Sequence, residues 1–172
     1  MKYDRLTIVL HILLALSVTV QLVLGTSMDA PRPGVPPGDI PFLLHRFWGL
    51  LVLVVLALHW AWQLSGQASN GARVLLPWLF KSSRRDVFAN LRQLFRFPPK
   101  ELKARLHPLA GTVQGLGLLV ATLLAVTGLI LFFGVAPDGT ASATVALVRQ
   151  IHGAAAPLMW AYLAAHVAFA LL

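Results

Sequence analysis

The sequence predicts an all-α integral membrane protein, a four-transmembrane-helix bundle with both termini cytoplasmic and an amphipathic interfacial helix in its second loop. Three observations predict it. Four apolar stretches, at 6–24, 42–64, 109–135 and 145–171, are each about as long as the ~20 helical residues that cross a hydrocarbon core. Hydrophobic residues make up 58% and charged residues 12% of the 172 positions, and the mean hydropathy is +0.75, far from a soluble globular composition. Most of the positive charge falls between two of the apolar stretches, as the positive-inside rule requires of a cytoplasmic loop. The length reads as a single domain, 1–172, with its cytoplasmic loop at 65–107.

The first stretch follows Lys2 and Arg5 and so has the outline of a secretory signal. Its apolar run is longer than a signal core, it contains His11, and no clean small-residue cleavage site follows. A retained helix is expected. The connection from Gly25 to Pro41 holds five prolines, with Arg32 against Asp29 and Asp39, and reads as a short stiff loop. The second connection carries Arg73, Lys81, Arg84, Arg85, Arg92, Arg96, Lys100, Lys103 and Arg105 against Asp86 and Glu101. The third has only Asp138. The second loop and both termini are therefore expected in the cytoplasm. Most of the net charge of +8 falls in this loop, which favours membrane lipid over nucleic acid as its partner.

Within that loop Val87, Phe88, Leu91, Leu94 and Phe95 recur at helical spacing with arginines mostly between them. This predicts an amphipathic helix on the inner leaflet, as a lipid-anchored spacer or a docking surface for a redox subunit. Leu172 follows His166 by six residues with no basic flank, as if a tail were missing.

Cysteine is absent, which removes disulfides, iron–sulfur clusters, thiolate zinc and covalent haem attachment. Histidine is the conspicuous ligand type. His152 and His166 are 14 residues apart, nearly four helical turns, so their rings point similarly and lie roughly 21 Å apart along the axis. His45 and His59 repeat that spacing. With the amino terminus inside, His45 and His152 fall at one outer depth, while His166 falls at an inner depth shared by His11 and His59. Ionisable rings inside a bilayer need partners. Two noncovalent haem b groups, each held by two histidines, fit this pattern. The outer pair is His45 with His152. The inner pair is His166 with either His11 or His59.

Neighbouring residues have competing readings. Gly49, one turn after His45, and Gly153, at the head of a small-residue run to Ala156, leave room for a porphyrin; small-residue helix packing, of the kind Gly111 and Gly115 also suggest, is the alternative. Arg46 and Arg149 can pair with haem propionates or with headgroups. His59 precedes Trp60 and Trp62, an interfacial aromatic signature, and can serve as a propionate hydrogen-bonder. His11 can also be an interhelical hydrogen-bonder. His107 beside Pro108 reads as a solvated or headgroup contact, and Met159, midway between the two depths, as packing. Pro157 is a candidate kink.

At this point the chain resembles the prokaryotic four-helix b-type cytochromes: bacterial cytochrome b561, the cytochrome b subunit of nickel–iron hydrogenases and the gamma subunit of formate dehydrogenase. The strings that carry the resemblance are RLTIVLHILLAL, LLHRFWGLLVLVVLAL, HPLAGTVQGLGLLVATLLAVTGLILF and IHGAAAPLMWAYLAAHVA, one per span. The resemblance implies His11 with His166 for the inner haem iron and His45 with His152 for the outer. His59 stands where relatives often carry arginine, which keeps the pairing of respiratory cytochrome b, with both ligands of each helix pair 14 residues apart, as the alternative.

The resemblance further implies an electron-transfer subunit between a quinone pool, ubiquinone or menaquinone, and a partner oxidoreductase. It also implies a quinone site near the inner haem, where His59 or His107 can handle protons. A second reading is a stand-alone superoxide oxidase that passes the electron to quinone. Arg32, Arg46 and Arg149 attract its substrate and Asp29, Asp39 and Asp138 weaken that field. A third is a non-redox anchor. Association into a homo-oligomer is open.

Overall fold

The computed structural model describes residues 3–33, 38–68, 71, 75–80, 85, 87–88 and 107–171. Four long helices account for most of them: α1 (Arg5–Ser27), α2 (Ile40–Leu64), α3 (His107–Gly134) and α4 (Ala143–Leu171). A 3₁₀ turn at Pro77–Leu79 lies between α2 and α3. The described residues contain no strand.

The helices begin slightly before the apolar runs because polar caps start them. Asp4 accepts from the Thr7 backbone N–H at 2.8 Å and from its hydroxyl at 2.7 Å. Asp39 accepts from Phe42 N–H at 2.8 Å, with Pro41 in the first turn, where its missing N–H costs nothing. Ser142 accepts from Val145 N–H at 3.3 Å.

Three helices are long and apolar enough to cross a membrane: Arg5–Ser27, Ile40–Leu64 and the Gly111–Gly134 part of α3. Only 17–22% of their most apolar windows is buried within the protein. The remaining leucines, valines and isoleucines, such as Leu16, Leu58 and Val126, face outward, a surface suited to lipid and not to water. The fourth helix spans 29 residues, but Arg149, Gln150, His152, Tyr162 and His166 dilute its hydropathy.

Helix α1 packs on α2, α3 on α4, and α2 joins the two hairpins through α3. Leu14, Leu22, Val52, Val55, Leu56, Leu118, Ala121 and Met159 form the shared core. Met159, at 3% exposure, packs there. Leu75, from the α2–α3 connection, is fully buried in the same core. Its backbone presses on Gly115 of α3, where a Cβ would overlap the Leu75 carbonyl. The small side of α3 at Gly115 thus receives a loop. The half of the bundle carrying the α1–α2 and α3–α4 connections is termed outer, the opposite half inner. At the outer end Gly139, with φ +80°, packs against the Arg32 backbone, so the two connections touch.

Without water, indole and amide groups must be satisfied between helices. Trp48 Nε1 donates to the Ser17 carbonyl at 3.0 Å, Trp60 Nε1 to Thr122 Oγ1 at 3.0 Å, and Trp62 Nε1 to Thr7 Oγ1 at 3.0 Å. The tryptophans of α2 therefore tie it to α1 and α3, a different use from the interfacial belt that Trp60 and Trp62 signal in sequence. Of the expected amphipathic helix, Arg85, Val87 and Phe88 are helical; Leu91, Leu94 and Phe95 lie outside the described residues.

Candidate functional site

His45 sits one turn into α2, at the level of Gln21 on α1. Its Nδ1 is 3.1 Å from the Gln21 carbonyl. A carbonyl only accepts, so Nδ1 carries the proton and Nε2 is the nitrogen with a free lone pair. The contact is reciprocal, because Gln21 Nε2 donates to the His45 carbonyl at 2.9 Å. Across the bundle, His152 of α4 has Nδ1 2.9 Å from Thr127 Oγ1. The Thr127 hydroxyl donates to the Leu123 carbonyl at 2.6 Å, so it accepts from His152, and again Nε2 is left uncommitted. A hydrogen bond from the second ring nitrogen, fixing tautomer and ring plane, is how proteins prepare a histidine to ligate a metal.

The two rings face each other with centroids 6.3 Å apart and planes at 90°. Two imidazoles on opposite sides of one metal, with metal–nitrogen bonds of about 2.0 Å, leave ring centres about 6 Å apart. A cavity of about 650 Å³ surrounds the pair and is lined by all four helices, within the ~300–1,000 Å³ typical of small-molecule sites. Gly153 lines it with open space where a Cβ would stand. Gly49 also lines it, although its Cβ would meet the Gln21 amide at 3.0 Å; glycine there protects the Gln21–His45 lock. Gly25 and Gly128 do the same for the rings themselves. A Cβ on either would crowd Cε1 of His45 at 3.1 Å or of His152 at 3.3 Å.

Arg46 and Arg149 also line the cavity. Arg46 donates to the Phe132 carbonyl at 2.8 Å and stacks 4.4 Å above the Phe132 ring. Its buried Nε, and the buried Oε1 of Gln21, have no partner among the described residues.

At the inner depth His11 of α1 faces His166 of α4, with centroids 6.0 Å apart and planes at 64°. Tyr162, one turn before His166, stacks on it at 5.5 Å and 16°. His59 is 1% exposed, with neither ring nitrogen paired, and it lies near enough to His11 for their charges to interact. Gln63, the next residue on that face of α2, is also 1% exposed with both amide atoms unpaired. His107 opens α3, but its side chain lies outside the described residues.

Among the described residues, no three histidine, cysteine, aspartate or glutamate side chains converge as a metal cage. Two pairs of facing imidazoles suit a metal that brings its own equatorial ligands, as iron in a porphyrin does. Gln21, Thr127, Gly25 and Gly128 were not visible as site residues in sequence. Polar or small residues within apolar spans were their only signal, and Ser17, Thr19 and Gly134 share it.

The fold and these facing histidines are what a membrane-embedded b-type cytochrome requires. The family model described as prokaryotic cytochrome b561 matches residues 2–172, and the chain belongs to that family. No curated protein and no solved structure matches it significantly. Membership makes it a bacterial membrane protein that binds haem b, transfers electrons and contacts lipid through its helices.

Proposed function

We propose that this chain is a di-haem cytochrome of the bacterial inner membrane, crossing it four times with both termini in the cytoplasm. We further propose that it moves electrons between the quinone pool and a partner oxidoreductase. The observation that carries this reading is the arrangement of four histidines as two facing couples, with ring centres 6.3 and 6.0 Å apart. Helix α4 contributes one member to each couple, and the 14-residue interval between His152 and His166 separates them by about 21 Å along its axis. The basic second loop supports the orientation.

Haem held by each couple would supply a reversible one-electron change at its iron. The residues hold and insulate; they do not bind a substrate at the metal. His45 and His152 present Nε2 from opposite sides, with tautomers fixed by Gln21 and Thr127. Arg46 and Arg149 offer charge-assisted hydrogen bonds to carboxylates at the outer cavity. At the inner depth His59 and Gln63 offer unpaired donors and acceptors beside His11. They are the groups we assign to a propionate edge or to a quinone head, with His59 able to take or return a proton at a ring nitrogen.

The test is haem stoichiometry of the purified full chain beside His11→Ala and His59→Ala. Two haems in the parent and in His59→Ala, with one in His11→Ala, is the expected result. Loss only in His59→Ala moves the inner ligand to His59, and a parent with a single haem or no b-type spectrum overturns the di-haem reading. Quinone reduction by superoxide without any partner protein would replace the subunit role with a stand-alone oxidase.

A further inference from the structure

The two histidine couples differ in what holds their rings. Each outer ring is fixed by a hydrogen bond at Nδ1. Neither His11 nor His166 makes a side-chain hydrogen bond to another described residue, so the plane of the inner rings must be set by packing.

We propose that Tyr162, seated against Gly117, is the positioning residue that fixes the imidazole plane of His166 and with it the angle between the two axial ligands of the inner centre. The inference rests on His11 and His166 being that axial pair. Three observations support it. Tyr162 and His166 are four residues apart on α4, so they share a face one turn apart. Their rings are nearly parallel, at 16° and 5.5 Å between centroids, the offset stack that aromatic rings prefer. Behind the phenol stands Gly117 of α3, a buried residue, where a Cβ would overlap the ring carbons and hydroxyl of Tyr162.

The phenol is therefore held at its hydroxyl end by close approach to the α3 backbone at Gly117 and along its face by the imidazole. Rotation of the His166 ring out of its present plane would break the stack. The 64° between His11 and His166, against 90° in the outer couple, follows from this restraint. In low-spin ferric haem the angle between axial imidazole planes sets the splitting of the iron d orbitals, so it is read directly in the electron paramagnetic resonance spectrum. Ring orientation is among the ligand properties by which surrounding residues tune a metal centre.

The experiment compares the oxidised spectrum and the haem content of the full chain with those of Tyr162→Phe, Tyr162→Leu and Gly117→Ala. Phenylalanine keeps the stack and should keep the inner signal. Leucine removes it, and alanine at Gly117 pushes the ring while keeping the phenol. Both should shift the largest g value of the inner haem and leave the outer haem, an internal control for folding, at its parental position. Should leucine cost the inner haem itself, Gly117→Ala decides. An inner signal unmoved in that variant overturns the proposal. A His166→Ala protein that retains the inner signal would instead overturn the ligand assignment on which it rests.

Discussion

The outer and inner halves of this bundle hold the same ligand type in the same facing arrangement by different physics. In the outer half the Gln21 carbonyl and the Thr127 hydroxyl accept hydrogen bonds from His45 and His152, and glycines at 25 and 128 clear space beside each ring. Directional bonds there fix both the tautomer and the plane. In the inner half a phenol stacks on His166, while two buried polar side chains, His59 and Gln63, have no partner among the described residues. Hydrogen bonds in a low-dielectric interior are strong and angularly strict, so they specify one geometry. Stacking restrains a plane but leaves the tautomer open. The outer centre is built for rigidity and the inner for adjustment by whatever binds beside His59.

The largest effect expected from this contrast is loss of a single centre. His152→Ala removes one outer ligand and opens a space next to an existing cavity. It should abolish the outer haem and leave the inner signal intact, because α4 carries the two ligands almost four turns apart. Haem quantification with spectroscopy of the remaining b-type band checks it. Loss of both haems would mean that the two halves fold as one cooperative unit, and the contrast drawn between them would collapse.

That contrast was only partly legible in the sequence. The helices were, because 20-residue apolar runs with capping Asp39 and Ser142 have few alternatives inside a bilayer. The outer couple was also legible, since depth along antiparallel helices brings His45 and His152 together without any knowledge of packing. The inner couple was not. Three histidines share that depth, and only the rotation of each helix about its axis distinguishes His11, whose ring lies 6.0 Å from that of His166, from His59. Rotation depends on which residues pack, and Leu75, arriving from the loop onto Gly115, is a long-range contact that no helical periodicity announces. The supporting shell was hidden for a related reason. Thr127 and Gln21 acquire meaning only when a neighbouring helix sets an imidazole beside them.

A smaller effect tests whether those outer hydrogen bonds matter. Thr127→Val keeps the shape and removes the acceptor for His152 Nδ1–H, leaving that proton unpaired in an apolar surrounding at a cost of about 1–3 kcal/mol. Losing the hydrogen bond that orients a metal-binding histidine typically weakens metal affinity by about 10–100-fold. The outer haem should be lost more readily during extraction or competition by an apo-haem protein, with a changed midpoint potential, and the inner haem should not respond. Equal weakening of both centres would show that Thr127 acts through general packing of α3 on α4.

The smallest effect lies at the outer rim, in the loop that leads into α4. Asp138 accepts from the Thr140 N–H at 2.9 Å and from its hydroxyl at 2.7 Å, and these bonds hold its carboxyl below the usual aspartate range. A carboxylate whose folded pKa is depressed stabilises the fold above its unfolded value, near pH 3.9 for aspartate. That contribution is lost as the pH falls through the folded value. The side chain is fully exposed, so the effect is slight and confined to the loop. Asp138→Asn keeps a side-chain oxygen that can still accept from Thr140 but removes the titration. It should leave both haem spectra unchanged at neutral pH and flatten a shallow acid-dependent loosening of the outer end, readable as amide exchange at Gly139 and Thr140 between about pH 5 and pH 2. The inner end carries a similar carboxylate, Asp4, which accepts from the Thr7 N–H and hydroxyl, so the control is the variant and not the inner half. An acid response of the Gly139 and Thr140 amides that persists unchanged in Asp138→Asn would trace to another group and detach Asp138 from the outer half's rigidity.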